Sequence, residues 1–252
     1  MVRVIMHGCN GVMGQVITGM AKDMEGLTIV AGIDLKNDKE NGYPVYASLE
    51  ECKEEADAVV DFASPKAADH LMDFCAEKKL GLVLCTTGLS EEQIKKVKET
   101  AEKTAVLRSA NMSLGVNLLL KLVKEAAKVL ASSGFDIEIV EKHHNQKKDA
   151  PSGTALALAE SMNEALGNQY HYVYDRSSVH EKRDPKEIGI ASVRGGSIVG
   201  DHDVIFAGKD EVITFNHTAY SKAIFAKGAL EAAKFLAGKE PGLYDMSDVV
   251  QL

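Results

Sequence analysis

With 252 residues, of which 45% are hydrophobic and 26% charged, the chain can fill one large domain or two modest ones and has the make-up of a soluble globular protein. A formal net charge of -8 and an acidic pI near 5.5 argue against a general role in binding nucleic acid or an anionic membrane, since either needs a broad excess of Lys and Arg. Small molecules are the expected partners. The start, "MVRVIMHGCNGVMG", has no charged segment followed by a long apolar one, and no window holds about 18 uninterrupted apolar residues, so a cytoplasmic location is expected. Cys9, Cys52, Cys75 and Cys85, spaced by 43, 23 and 10 residues, match no paired zinc pattern and read as reduced packing residues.

The first half alternates short β-rich runs with helical patterns. "VRVIM" at 2–6 precedes a helix over about 11–24, and "LTIVAGI" at 27–33 is followed by a short segment. "ADAVVDF" at 56–62 leads into a helix over 65–79, "LGLVLCT" at 80–86 into a helix over 90–103, and "AVLRS" at 105–109 closes the series. Apolar runs without polar alternation indicate strands covered on both faces, hence an α/β fold with a parallel sheet between helix layers. The longest helical pattern, residues 113–134, ends on Gly134 as a C-cap and connects to a second unit. There the rhythm becomes α+β: "FDIEIVEKHH", a helix over about 153–166 closed by Gly167, then strands "IGIASVR", "HDVIFAG" and "EVITFNHT" separated by turns. A last amphipathic helix over 221–237 and the tail "GLYDMSDVVQL" are expected to return to the first domain, giving 1–113 with 219–252 as one domain and 114–218 as the other.

"VRVIMHGCNGVMGQVI" is a strand running into Gly8, Gly11 and Gly14 at three-residue intervals and then a helix, and Asp34 ends the second strand 20 residues after Gly14. A dinucleotide site needs glycine where the backbone turns sharply, where it approaches the pyrophosphate and where helix packs on strand, with helix-terminal N–H groups holding the anion. The acid then accepts hydrogen bonds from the adenosine ribose hydroxyls. This predicts a Rossmann-type first domain. Two later strand ends, "CTTG" at 85–88 and "SANMS" at 109–113, fall at the carboxyl edge of such a sheet, which makes Thr86, Thr87, Ala110 and Met112 candidates for the nicotinamide side.

"EKHHNQKKDAPSGTA", residues 141–155, collects two adjacent histidines and three lysines within seven positions before a Ser-Gly-Thr turn. Lys147 follows His143 by four positions, one helical turn and also an even strand spacing, so either regular conformation sets both on one side. Ser152 reads as the N-cap of the next helix, which leaves the N–H groups of Gly153 and Thr154, with the Thr hydroxyl, at its positive end. Together these describe a carboxylate site beside an acid/base group, since His suits proton transfer near neutral pH and Lys supplies a fixed cation. His143 and His144 lack partner ligands at metal-binding spacing, so no metal is expected. An amino-acid or semialdehyde dehydrogenase, or a non-catalytic dinucleotide sensor, would share the first domain but has no use for this segment.

These stretches, together with "DFASP" at 61–65, "SANMSLGVN" at 109–117, "VRGGSIVGDHDVIF" at 193–206 and "GLYDM" at 242–246, closely resemble the dihydrodipicolinate reductase family, also called 4-hydroxy-tetrahydrodipicolinate reductase, over nearly the whole chain. The resemblance implies an N-terminal dinucleotide-binding domain and a second domain that binds a dicarboxylate substrate and assembles a homotetramer through its sheet. It implies His143 as proton donor/acceptor, Lys147 as proton donor, and His144, Gly153 and Thr154 as substrate-binding residues. NADH or NADPH would be held by Gly8, Cys9, Asn10, Gly11, Val12 and Met13, by Asp34, by Cys85, Thr86 and Thr87, and by Ser109, Ala110, Asn111 and Met112. Three positions depart from the family's usual pattern: Cys85 in place of Gly, Leu35 where some members carry Arg after the acid, and Lys222 where Arg is common. They bear on cofactor contacts and preference.

Overall fold

The protein is described by a computed structural model covering residues 1–250. In chain order, β1 (Val2–His7), α1 (Val12–Ala21), β2 (Leu27–Ile33), β3 (Val45–Tyr46), β4 (Ala58–Asp61), α2 (Pro65–Lys78), β5 (Gly81–Leu84), α3 (Glu91–Ala101) and β6 (Ala105–Leu107) make up the first stretch. A long helix α4 (Leu114–Leu130) and a short 3-10 turn follow, then β7 (Asp136–His143), α5 (Gly153–Ala165), β8 (His171–Val173), β9 (Glu187–Arg194), β10 (Gly200–Ala207) and β11 (Val212–Ala219). The chain closes with α6 (Ala223–Leu236), β12 (Gly242–Tyr244) and α7 (Met246–Val249).

Two compact units result. Met1–Leu114 and the segment from Ala223 onward form the first, and Gly115–Lys222 the second. The boundaries lie one residue and four residues beyond those expected from the sequence, because the last strand of the second sheet runs to Ala219 and the closing helix starts at Ala223. Gln251 and Leu252, the end of the expected tail, lie outside the described residues.

In the first unit the strands order as β12-β6-β5-β4-β1-β2-β3, every pair parallel. Successive residues point to opposite faces, and both faces are dry. Val4, Met6, Val60 and Val83 pack on one side with Ile17 and Ala21 of α1 and Ala226, Ala229 and Leu230 of α6. Ile5, Val59, Leu82 and Leu84 pack on the other with Leu71, Met72 and Cys75 of α2 and Val97 of α3. That double coverage is why these strands read as unbroken apolar runs. The expected tail segment does return here, as β12 beside β6.

The second unit's sheet orders β11-β10-β7-β9-β8 and is mixed: β10 runs antiparallel to both neighbours, and β7, β9 and β8 run parallel. Only one face carries helices. Ile137 and Ile139 of β7, Ile188 and Ile190 of β9, and Val204 and Phe206 of β10 meet α4 and α5 through Leu119, Val123, Leu158 and Met162. The opposite face is polar: Lys142 Nζ lies 2.8 Å from Asp201 and 2.9 Å from Asp203, and Thr218 Oγ1 donates to Asp201 at 2.6 Å. β7 and β10 accordingly alternate buried and half-buried residues along their length. Residue Gly134, at φ 85°, ends the helical stretch in the left-handed conformation expected of a C-cap glycine.

Candidate active site

In the first unit the chain leaves β1 through Gly8 at φ 80°, a conformation that L side chains rarely adopt, and a Cβ there would sit 2.9 Å from the Phe62 carbonyl oxygen. A Cβ on Gly14 would fall 2.6 Å from the Cys9 carbonyl oxygen and closer still to that of Gly8, so α1 approaches the turn as closely as it does only because residue 14 is glycine. Gly11 is the N-cap of α1, and no side chain of a described residue caps it. Backbone N–H groups at that helix end therefore stand where an anion can take them. Asp34, just beyond β2, accepts the Asn10 N–H at 3.0 Å and the Lys36 N–H at 3.3 Å, and the Asn10 side chain donates to the Lys36 carbonyl. Gln15 and Asn41 tie the glycine turn to the loop after β2, Gln15 Nε2 donating to Cys9 O at 2.9 Å and to Asn41 Oδ1 at 2.7 Å. A glycine cradle, an uncapped helix end and an acid at the second strand's end fit a dinucleotide.

The remaining cofactor candidates divide by what their side chains do. Cys9 and Met112 are buried in the core beside α6, which leaves only their backbone for a ligand. Burial pushes the Cys9 thiol up to about 11, and the Cys85 thiol well above its ordinary range, so both stay protonated and inert at neutral pH. Thr86 is buried with an Oγ1 that has no partner among the described residues, while Thr87 is exposed. Val12 is 82% exposed at the start of α1. Asn111 Oδ1 accepts the Ser113 N–H at 2.8 Å, and Ser109 and Ala110 form the turn before it.

In the second unit the alternation that buries Ile137 and Ile139 continues to Glu141 and His143, so β7 ends with a carboxylate and an imidazole on its helix-covered face. His143 Nδ1 lies 2.6 Å from Glu141 Oε2. Arg194, at the end of β9 opposite His143, forks onto the same carboxylate at 2.8 and 2.6 Å. The Ser152 N–H donates to Glu141 Oε1 at 3.0 Å. Burial pushes the Glu141 carboxyl up, but the bonds from Arg194, Ser192, His143 and the Ser152 N–H outweigh it and hold the group at about 2. His202 of β10, opposite Glu141, stands edge-on to His143 with ring centroids 5.1 Å apart and its Nε2 2.9 Å from Ser152 Oγ. Burial, reinforced by His143, pushes His202 down to about 4, so it is neutral in the physiological range.

Ser152 caps α5 as expected, its Oγ accepting the Ala155 N–H at 3.2 Å. Gly153 is exposed and no described atom lies within 4 Å of where its Cβ would be, so the helix end is open to a ligand. Thr154 follows in the first turn. Residues 144–151 are neither strand nor helix, which corrects the spacing argument for His143 and Lys147. Lys147 is placed instead by a turn in which its N–H bonds the His144 carbonyl at 3.1 Å, and its ammonium pairs with Asp149 at 2.9 Å. His144 is half-buried beside His143. Glu141, Arg194 and His202 went unassigned in the sequence reading. Glu141 did carry a signal, an acid on the apolar phase of an alternating strand, but Arg194 and His202 are brought in by strand register alone. Among the described residues no group of three or more His, Cys, Asp or Glu side chains is arranged to hold a metal ion, and no helix is long and apolar enough to cross a membrane.

The family model "Dihydrodipicolinate reductase, N-terminus" matches residues 2–112 and "Dihydrodipicolinate reductase, C-terminus" matches residues 115–250. The 4-hydroxy-tetrahydrodipicolinate reductase of Caldanaerobacter subterraneus subsp. tengcongensis is 56% identical over 251 residues, covering 100% of this chain and 99% of the relative. That of Clostridium tetani is 48% identical, covering 98% of this chain and 96% of the relative. The dipicolinate-bound dihydrodipicolinate reductase from Paenisporosarcina sp. TG-14 superposes with a TM-score of 0.83 at 25% identity, covering 98% of this chain and 99% of that one. With both halves matched and identity near 50% along its full length, the chain belongs to the dihydrodipicolinate reductase family.

Proposed function

We propose that the protein reduces 4-hydroxy-tetrahydrodipicolinate, with loss of water, to tetrahydrodipicolinate in diaminopimelate and lysine biosynthesis, taking its reducing equivalent from NADH or NADPH. The observation that carries this reading is the pairing, at one strand end, of a buried imidazole with an open helix N-terminus and a lysine. The substrate has two carboxylates and a conjugated imine, and the dipicolinate-bound relative supports a flat dicarboxylate as the ligand class. A reduced nicotinamide, when bound, supplies a hydride. Gly8 and Gly14 with the N–H groups at the start of α1 would hold its pyrophosphate, and Asp34 its adenosine ribose.

On the substrate, loss of water, the hydroxyl leaving together with a proton from the neighbouring ring carbon, gives a conjugated ene-imine, and addition of hydride at the carbon that carried the hydroxyl then leaves an enamine-type anion that needs one proton. His143 supplies that proton. Lys147, His144 and the N–H groups of Gly153 and Thr154 bind carboxylate and stabilise the developing charge. Each is a charge-assisted contact, and none needs a metal.

Two finer points complete the reading. Both cofactors are used, with a modest lean to NADH: Asp34 favours a bare ribose, while Lys36, Asn37 and Lys39 offset its repulsion of the extra phosphate of NADPH, and Leu35, 90% exposed, adds no charge. The chain assembles as a homotetramer through the second sheet, where Val212 and Ile213 of β11 are exposed. Sedimentation should give a species of four 27.2 kDa chains, and a monomer at micromolar concentration would remove that part. The activity is tested by following NADH absorbance on adding enzymatically generated hydroxytetrahydrodipicolinate. Stoichiometric oxidation is expected, and no oxidation with substrate present sinks the assignment. Pyridine-2,6-dicarboxylate should compete with substrate.

A further inference from the structure

Glu141 has no exposed surface, yet it is one of the best-satisfied carboxylates in the molecule. Oε1 accepts from Ser152 N at 3.0 Å and Arg194 Nη2 at 2.6 Å, and Oε2 accepts from Arg194 Nη1 at 2.8 Å and faces His143 Nδ1 at 2.6 Å. We propose that Glu141, clamped by Arg194, is a positioning residue that holds His143 with its proton on Nδ1 and so reserves Nε2 as the nitrogen that exchanges a proton with substrate. This rests on the reading of His143 as proton donor.

The assignment follows from what each group can do. An ionised carboxylate only accepts hydrogen bonds, so the ring nitrogen against it must be the donor, whatever the protonation of the rest of the ring. Three other donors keep that carboxylate ionised, and the fork from Arg194 fixes its plane. The second nitrogen is left on the opposite edge of the ring, and its surroundings are kept small: a Cβ on Gly200 would lie 3.2 Å from Nε2. The neighbour able to compete for a proton, His202, has its own Nε2 engaged with Ser152 Oγ. Register does the positioning, since His143 is opposite Arg194 and Glu141 opposite His202 on the strands to either side. The part in contact with substrate can therefore be a loop while the group that orients the acid is fixed in a sheet.

The charged and titratable groups around His143 are few. Glu141 lies on its own strand, Arg194 on β9 and His202 on β10, with Asp201 and His217 acting on His202 in turn. The Lys147–Asp149 pair lies on the following loop, and the first turn of α5 brings no acid. A Glu–Arg pair in a protein interior is by itself weak evidence for stability or function. What sets this one apart is the third member, an imidazole whose Nε2 edge lies against Gly200, a residue with no side chain.

The test uses the full-length enzyme with NADH and hydroxytetrahydrodipicolinate. Nitrogen-15 NMR of the wild type should show neutral His143 with its proton on Nδ1; a proton on Nε2 overturns the proposal without any variant. Glu141→Gln should lower kcat by roughly tenfold to a hundredfold, the range seen when a partner orienting a metal-ligating imidazole is removed, and leave the KM for NADH unchanged. The alkaline limb of its kcat profile should move to lower pH, because the imidazolium loses its anion and the acid form is lost sooner. Glu141→Asp keeps the charge and should restore part of both kcat and the profile, and it decides the matter by its pH limb if Glu141→Gln does not fold. A merely structural role would lower stability without moving the limb. If His143→Ala loses turnover while Glu141→Gln keeps the wild-type kcat and profile, this inference alone fails. Full turnover in His143→Ala overturns the functional reading and the inference together.

Discussion

Each unit contains one buried histidine paired with one carboxylate at the end of a strand, and the two pairs look alike by distance and differ in everything around it. His7 Nδ1 lies 2.7 Å from Asp61 Oδ1 in the first unit, and His143 Nδ1 lies 2.6 Å from Glu141 Oε2 in the second. Both rings are 8% exposed. Among the described residues no arginine bonds Asp61. Its Oδ1 also takes the Ala63 N–H at 3.1 Å, and its Oδ2 is buried without a partner among the described residues. Glu141 has both oxygens filled, and the same Ser152 that donates to it caps α5. A short His–carboxylate contact is therefore not a proton-transfer site by itself. What sets the second pair apart is that its carboxylate is held ionised by an arginine and a backbone N–H.

The strongest way to break this contrast is to remove each imidazole. His143→Ala should lower kcat by about 10²–10⁴, the usual worth of a positioned general acid, with NADH affinity unchanged. His7→Ala should keep kcat within a few-fold and instead lose about 1–3 kcal/mol of stability, the cost of stranding the buried Asp61. Equal kcat losses would erase the distinction.

Removing the carboxylates sharpens it. Glu141→Ala should cost about 3 kcal/mol, because it leaves an arginine and an imidazole facing an empty site. Asp61→Ala should cost only about 1 kcal/mol, since one of its oxygens is already unsatisfied. Urea midpoints of the two variants, each against wild type, make the comparison, and a larger loss at Asp61 would contradict it.

Acid dependence follows with a definite sign. Glu141 is held at about 2, below the value of about 4.3 for a free Glu. The stability it contributes is thus present above that free value and disappears as pH falls toward 2. The stability gap between wild type and Glu141→Gln should narrow on acidification from about pH 5, and a gap that widens refutes the ionised state.

The smallest effect concerns the cofactor. A unit charge pair about 4 Å apart is worth about 1 kcal/mol in water and roughly 4 kcal/mol at an effective dielectric near 20, so Asp34 and Lys36 should nearly cancel on an exposed rim. Lys36→Ala should weaken NADPH more than NADH, less so at high salt, and Asp34→Ala should do the reverse. A wild-type preference for NADPH above about a hundredfold, roughly 2.7 kcal/mol, would point to a different phosphate reader.

Much of this was legible in the sequence because the signals are local. The parallel sheet announced itself through apolar runs such as "ADAVVDF", and the glycine turn through its position between strand and helix. His143, Lys147, Gly153 and Thr154 stand out because they lie within a dozen residues of one another. β3, β8 and β12, two or three residues each, carry too few residues for a period to show, whereas β6, also three residues long, is marked by its apolar run "AVL" after a helix. Arg194 and His202 reach the site from 53 residues beyond Glu141 and 50 beyond Ser152, through pairings that no local pattern specifies. The position of Lys147 is set by a turn rather than by the regular period that its spacing from His143 suggested.

One experiment bears most directly on the account: single-turnover oxidation of NADH by wild type and His143→Ala, each with saturating hydroxytetrahydrodipicolinate and a parallel measurement of the Kd for NADH. The account predicts one NADH consumed per substrate by wild type, and an unchanged Kd with a rate at least about a hundredfold lower in the variant. A variant that turns over at the wild-type rate, or a wild type that binds NADH and leaves it unoxidised with substrate present, would contradict it.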